Sequence, residues 1–319
     1  MNALQKSLQE AARVGDFNAV KALINSGVDV TAKDLHGWNA FLWSAPNGNL
    51  DVISAILDAG ADVNSVTVNG VTALQLAIVN GKIKTTITLI AAGANVNAAD
   101  AEGTTSLQLA SKYGDVGSVM ALINAGADVN AKDFKSVTAL HWAASANMTE
   151  VVSILIRSGA NVNARDHEGC TAFMAAARHG FTEVALSLMQ AGADITIADA
   201  MGHSPLGRAS RNRMLSTVLT LIAYGAGYSD DCLELGYANP TRMTMRQASV
   251  RAGLASRLQD LLDCHSSDAP DDQPSSLLEL ALEQRQHDCA AVLQSHIATV
   301  AIDGMLASSP GARTSARCR

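Results

Sequence analysis

Gly126-Ala127-Asp128-Val129-Asn130-Ala131, followed after a short polar turn by Thr138-Ala139-Leu140-His141-Trp142-Ala143, is the stretch whose reading decides the fold. Threonine carries a side-chain oxygen that caps a helix N-terminus, and the apolar residues Leu140, Trp142, Ala143 and Ala144 follow it. Asn147 can take the left-handed backbone that stops a helix. A second helix is predicted beyond it, with Val151, Val152, Leu155 and Ile156 at helical spacing. It ends at Gly159, and Ala160-Asn161-Val162-Asn163-Ala164 begins the same sentence again.

The recurrence is strict. Gly27, Gly60, Gly93, Gly126, Gly159, Gly192 and Gly225 stand 33 residues apart, with no insertion or deletion. The capping positions Asn39, Thr72, Thr105, Thr138, Thr171 and Ser204 run in phase with them, and Pro205 follows the last cap, a residue suited to the first helical position. A third ladder is Gly37, Gly70, Gly103, Gly169 and Gly202, with Ser136 its one exception. First helices are predicted to stop at Gly48, Gly81, Gly114, Asn147 and Gly180. Two short helices and a turn cannot bury their apolar faces alone, whereas stacked copies can. The expected fold is therefore all-α, a solenoid of stacked 33-residue helix-turn-helix units joined by β-hairpin-like loops.

The motifs resemble those of the ankyrin repeat. Its helix signature matches Thr138 to Ala143 and Thr72-Ala73-Leu74-Gln75-Leu76-Ala77, and its linking motif matches Gly126 to Ala131. The resemblance covers residues 1–231. It implies a protein-protein interaction module, a scaffold, adaptor or inhibitor, that binds another protein through its concave face. It also implies that the face is built from the hairpin tips, starting at Leu35, Val68, Ala101, Phe134, His167 and Ala200, and from the exposed edge of each first helix. His141, at the signature position, is expected to hydrogen-bond the turn. On this face the candidate partner-binding residues are Trp38, Lys112, Tyr113, Lys132, Phe134, Lys135, Arg165, His167, Arg178, His179, His203 and Arg211. Aromatic and arginine side chains are favoured at interface hot spots. The cations gather on one side of a chain whose net charge is -7, so a partner with acidic and apolar surface is expected. The alternative is a bacterial ankyrin effector, delivered to a host cell to engage a host protein.

Departures from the pattern locate special segments. Polar Gln9 and Glu10 in the first repeat read as the solvated outer face of an N-terminal cap. Thr67 replaces the aspartate of Asp34, Asp100, Asp133, Asp166 and Asp199, so the third hairpin is expected to differ locally. Arg213 stands where the other repeats have Gly or Asn, which predicts a shifted or loose helix end. After Gly225 the register breaks. Residues 232–302 are read as two degenerate repeats with an inserted loop and a C-terminal cap, and 303–319 as a disordered tail.

Composition narrows the function further. Hydrophobic residues make up 48% and aromatics only 4%, suiting small-residue helix contacts better than a large enzyme core. The acidic balance argues against nucleic acid as a partner. Five cysteines without a CxxC pair argue against a zinc site or disulfide framework. No apolar run has the length of a signal or membrane span. The expectation is a cytoplasmic monomer without cofactor or metal, and not an enzyme: no phosphate loop, triad or metal-ligand spacing is present.

Overall fold

A computed structural model describes residues 2–212, 214–223, 274–283, 285–295 and 297. Helices come in pairs: α1 Ala3–Val14 and α2 Phe17–Asn25, α3 Ala40–Asn47 and α4 Leu50–Asp58, α5 Ala73–Val79 and α6 Ile83–Ala91. The pairs α7 Ser106–Tyr113 and α8 Val116–Asn124, then α9 Ala139–Ser145 and α10 Thr149–Arg157, follow. After them come α11 Ala172–His179 and α12 Thr182–Gln190, α13 Pro205–Arg211 and α14 Leu215–Ala223, and, further along the chain, α15 Pro274–Glu283. The described helices are those of the expected all-α solenoid.

The caps are where the sequence places them. Thr72, Thr105 and Thr138 each form a reciprocal capping box, with Gln75, Gln108 and His141. Ser204 accepts the Gly207 amide ahead of Pro205. Gly48, Gly81, Gly114, Asn147 and Gly180 all take φ between 60° and 82°. Between these stops and caps the inner row of residues is apolar and fully buried, from Leu8, Phe41 and Leu42 through Leu74, Leu107 and Leu140 to Phe173.

The chain divides into two compact bodies. The first comprises residues 1–176, 183–194 and 199–201. Its hairpins are tied tip to tip by backbone bonds. Val68 donates to the His36 carbonyl (3.0 Å), Ala101 to Asn69 (2.8 Å), Phe134 to Glu102 (3.1 Å), His167 to Lys135 (2.9 Å) and Ala200 to Glu168 (2.8 Å). Glycine recurs beside these tips for two reasons. Gly103 has φ 79°, and a Cβ there would meet the Phe134 amide nitrogen at 3.0 Å.

Inside each hairpin an aspartate does the bracing: Asp133 accepts the amides of Lys135 (2.8 Å) and Val137 (2.9 Å), and Asp34, Asp100 and Asp166 do the same one repeat apart. Thr67 does differ, as expected, but by a single bond. Its hydroxyl accepts the Val71 amide at 3.1 Å, and a one-oxygen side chain cannot also serve the position that aspartate's reach covers. The hairpin itself closes as the others do, with Thr67 and Val71 joined through the backbone.

A second ladder joins the links. Asn64, Asn97, Asn130 and Asn163 each accept a backbone amide of the next link, from Asn95, Asp128, Asn161 and Asp194 at 2.7–2.8 Å. Each also donates to a glycine carbonyl there, Gly93, Gly126, Gly159 or Gly192. One side-chain amide thus serves as both acceptor and donor across a repeat boundary.

Gln9 corrects the reading of the first repeat. It is 8% exposed, and its amide donates to the carbonyls of Ala32 (3.3 Å) and Trp38 (2.9 Å). It occupies the position of Gln75, Gln108 and His141, whose side chains reach the next hairpin in the same way. Its polarity serves the stack, not the solvent. Glu10 next to it is exposed and pairs with Arg13 at 2.6 Å, as a solvated outer face requires.

The second body comprises residues 177–182, 195–198 and 202–319. Within it, α15 and a helix over residues 287–295 share a small core of Leu277, Ala281, Cys289, Ala290 and Leu293. Arg285 turns between them at φ 55°, and Gln286 donates to the Ala281 carbonyl at 2.8 Å. The same closure joins Lys82 to Ala77 and Met148 to Ala143. Arg213, the inserted loop and the tail lie outside the described residues.

Ser136 tests the glycine ladder at its exception, because it adopts φ 59° despite carrying a Cβ. A left-handed non-glycine residue costs about 1–2 kcal/mol, which the added unfolded-state freedom of glycine offsets by about 0.4–1. Ser136→Gly is expected to stabilise the chain by up to about 1 kcal/mol, and Ser136→Val to destabilise it by at least that. Urea unfolding followed by circular dichroism measures both.

Candidate functional site

Repeats four to six of the first body enclose an open cleft of about 550 Å³. Its lining combines hairpin residues (Ala101, Glu102, Thr104, Asp133, Phe134, Lys135, Val137, Asp166 and Cys170) with His141, Trp142 and Ser145 of α9 and Ala175 of α11. The hairpins reach it because their tip ladder holds them side by side. The helices reach it through the position after the signature residue, Trp142 in α9 and Ala175 in α11, both of which line it.

Two of the sequence-predicted residues, Phe134 and Lys135, meet in this cleft. Phe134 is 80% exposed although its backbone is fixed by the ladder. Lys112 and Tyr113 stand in the last turn of α7. The Lys112 ammonium lies 4.5 Å from the Trp142 ring centroid and 5.8 Å from that of Tyr113, a cation-π arrangement that links these residues to the cleft wall. Lys132 is exposed in the same hairpin as Phe134. Arg165 is exposed too, and its Nε donates to the Gly169 carbonyl of its own hairpin at 3.2 Å. The His167 ring reaches the Lys135 carbonyl at 3.2 Å, so part of its role is to close the ladder.

Trp38 sits apart from these, half-buried and stacked on Trp43 with ring centroids 4.3 Å apart. Trp43 holds the helix position of Trp142 three repeats earlier, and its contribution escaped the sequence reading. The remaining candidates belong to the second body. Arg178 and His179 are exposed in the last turn of α11, His179 stacking on Phe181 at 5.5 Å, Arg211 is exposed at the end of α13, and His203 is half-buried.

Leu35 and Val68, placed by the sequence at hairpin tips but not among the candidate partner-binding residues, are 96% and 66% exposed at the tip position of Phe134. The available signal was an aliphatic residue at a position that the stack leaves free. Together Leu35, Val68 and Phe134 set large apolar side chains along the tips of the first body, each beside a backbone bond of the ladder.

The chemistry of the cleft floor is structural. His141 Nδ1 accepts the Thr138 amide at 3.2 Å, so the proton rides on Nε2, which donates to the Cys170 carbonyl at 3.1 Å. Burial disfavours the imidazolium and holds the His141 pKa below its usual value. The Cys170 carbonyl, the Asp166 carboxylate and a backbone contact with Ala164 oppose that shift, and Lys132 adds to it. Among the described residues no group of three or more His, Cys, Asp or Glu side chains could hold a metal ion, and no helix is long and apolar enough to cross a membrane.

A family model for ankyrin repeats, in three copies, matches overlapping spans of the chain: 8–100, 67–133, 86–166, 107–199 and 140–232. No curated protein matches it significantly.

His141 makes acid stability testable. Because its folded-state pKa is depressed, the unfolded chain takes up a proton near pH 6.5 that the folded chain resists. The His141 contribution is therefore full above that pH and is lost as pH falls through it towards the folded value. His141→Gln copies Gln108, which makes the equivalent bonds without titrating. Between pH 7.5 and 5.5 the variant is expected to lose less thermal stability than the parent, and equal losses would show that His141 does not govern this window.

Proposed function

Because the chain belongs to the ankyrin-repeat family, whose repeats are protein-protein interaction modules, we propose that it acts as a scaffold, adaptor or inhibitor. Its partner is another protein, held against the hairpin tips and first-helix edges. The observation that supports this most is the apolar row at the tips. Leu35, Val68 and Phe134 are more exposed than any fold-holding residue needs to be, yet the tip ladder beneath them is rigidly made. Large apolar side chains presented on a fixed backbone are what an interface hot spot requires, since little ordering entropy is left to lose on binding.

The proposed partner chemistry follows from the same residues. Phe134 and Trp142 offer an apolar seat in the cleft, and Lys112, Lys132 and Lys135 stand at or near it. A partner segment with an apolar anchor beside an acidic residue matches that composition. Arg165 and His167 extend the proposed surface through their hairpin; Arg178, His179, His203 and Arg211 are proposed partner-binding residues of the second body, taken by itself. The proposed state is a cytoplasmic monomer, with no enzymatic activity and no membrane or nucleic-acid partner. The effector alternative draws on the basic tail after Asp303, which lies outside the described residues.

Affinity purification of the tagged chain from its native cells, followed by mass spectrometry, identifies the partner. A variant with Tyr113→Ala, Phe134→Ala, Lys135→Ala and Arg178→Ala is expected to keep its helical circular dichroism and lose at least 100-fold in affinity, as removing two hot-spot side chains would at about 1.5–2 kcal/mol each. Binding that survives all four substitutions in a folded protein would refute the proposed surface.

A further inference from the structure

Helices α6, α7 and α8 of repeats three and four bury polar side chains where their neighbours bury apolar ones. Repeats two and five bury Ile53 and Val152, Val52 and Val151, Ala40 and Ala139, and Ala45 and Ala144. At the matching positions repeats three and four bury hydroxyls: Thr86 in α6, Ser118 in α8, and Ser106 and Ser111 in α7, each at most 1% exposed. None of these four hydroxyls has a hydrogen-bond partner, and neither does Oδ2 of Asp115, the α8 cap. The other Asp115 oxygen is committed to the Ser118 amide at 3.0 Å.

The solvent side of the same helices is apolar. Ile87 and Met120 are each 50% exposed at the position where α4 presents Ser54 and α10 presents Ser153, and Ile83 at the start of α6 is 42% exposed. Thus α6 and α8 leave aliphatic area in water and take unpaired hydroxyls out of it. Both features weaken their hold on the stack, because buried polar groups without partners are destabilising and exposed apolar area contributes nothing.

A repeat array is stabilised by the sum of its repeats and their interfaces, so it opens where that sum is smallest. We propose that the segment from α6 to α8 is a soft joint, a place where the first body opens locally before α3–α4 or α9–α10 does. The stack then behaves as two firmer blocks joined through repeats three and four. It is a conformational device set by five unpartnered polar atoms, against a single one in α9–α10, Trp142 Nε1, and it is independent of which partner the tips hold.

Hydrogen exchange followed by mass spectrometry on the full chain tests this, under conditions where exchange reports the opening equilibrium. Amides in the second half of α6 and α8 are expected to exchange at least tenfold faster than the matching amides of α4 and α10. The variant Thr86→Val, Ser106→Ala, Ser111→Ala, Ser118→Val uses only residue types that neighbouring repeats already carry, so folding is not at risk. It should slow exchange across α6–α8 by tenfold or more and leave α1 and α2 unchanged. Conversely, Ala144→Ser with Val151→Ser should create a second fast-exchanging segment at α9–α10. Equal protection along the native stack, or unchanged exchange in the fourfold variant, overturns the joint.

Discussion

The backbone bond from each hairpin tip to the tip before it is the constraint on which the rest of the first body depends. It requires every hairpin to arrive at the same height and angle as its predecessor. That requirement explains the left-handed residue beside each tip, where Gly103 leaves space for the approaching amide of residue 134. It explains the aspartate, or Thr67 in its place, that folds the turns back on themselves. It also explains why the 33-residue spacing tolerates no slip: an extra residue would move the donor off its carbonyl. Side chains at the tips are freed by the same arrangement, since the backbone alone makes the joint between hairpins.

Beneath the tips, a second set of polar bonds repeats with different residues in the same office. Gln9, Gln75, Gln108 and His141 each span from a first helix to the next hairpin. Glutamine and neutral histidine both offer an acceptor to the cap and a donor to the following hairpin, so either satisfies the buried groups. Only histidine adds a titration. The core is less even. Small and aliphatic residues fill most repeats, whereas repeats three and four carry hydroxyls in the same places. Local stability is therefore not uniform although the geometry is.

Much of the fold could be read directly. Caps at Thr72, Thr105, Thr138 and Ser204 and stops from Gly48 to Gly180 follow from local chemistry, because a side-chain oxygen and a left-handed backbone act over three or four residues. Much of the candidate face could be read too, since register separates positions that hold the stack from positions that do not. What escaped was the environment of individual side chains. Gln9 looked like a solvated cap residue because its partners, the carbonyls of Ala32 and Trp38, lie more than twenty residues away. Trp43 and Trp142 escaped for the same reason: what a ring on a first helix packs against, Trp38 in one case and Lys112 in the other, is set by residues of another segment.

By itself the sequence determined the period, the helix ends and the hairpins, because each follows from short-range rules repeated in phase. The tertiary structure alone decided which polar side chains are bridges between repeats, which tip residues stand clear as Leu35, Val68 and Phe134 do, and where hydroxyls are buried without partners. Those outcomes depend on atoms brought together from different repeats. A one-dimensional pattern specifies that repeats will meet, but the fit of each side chain is settled only at the interface it enters.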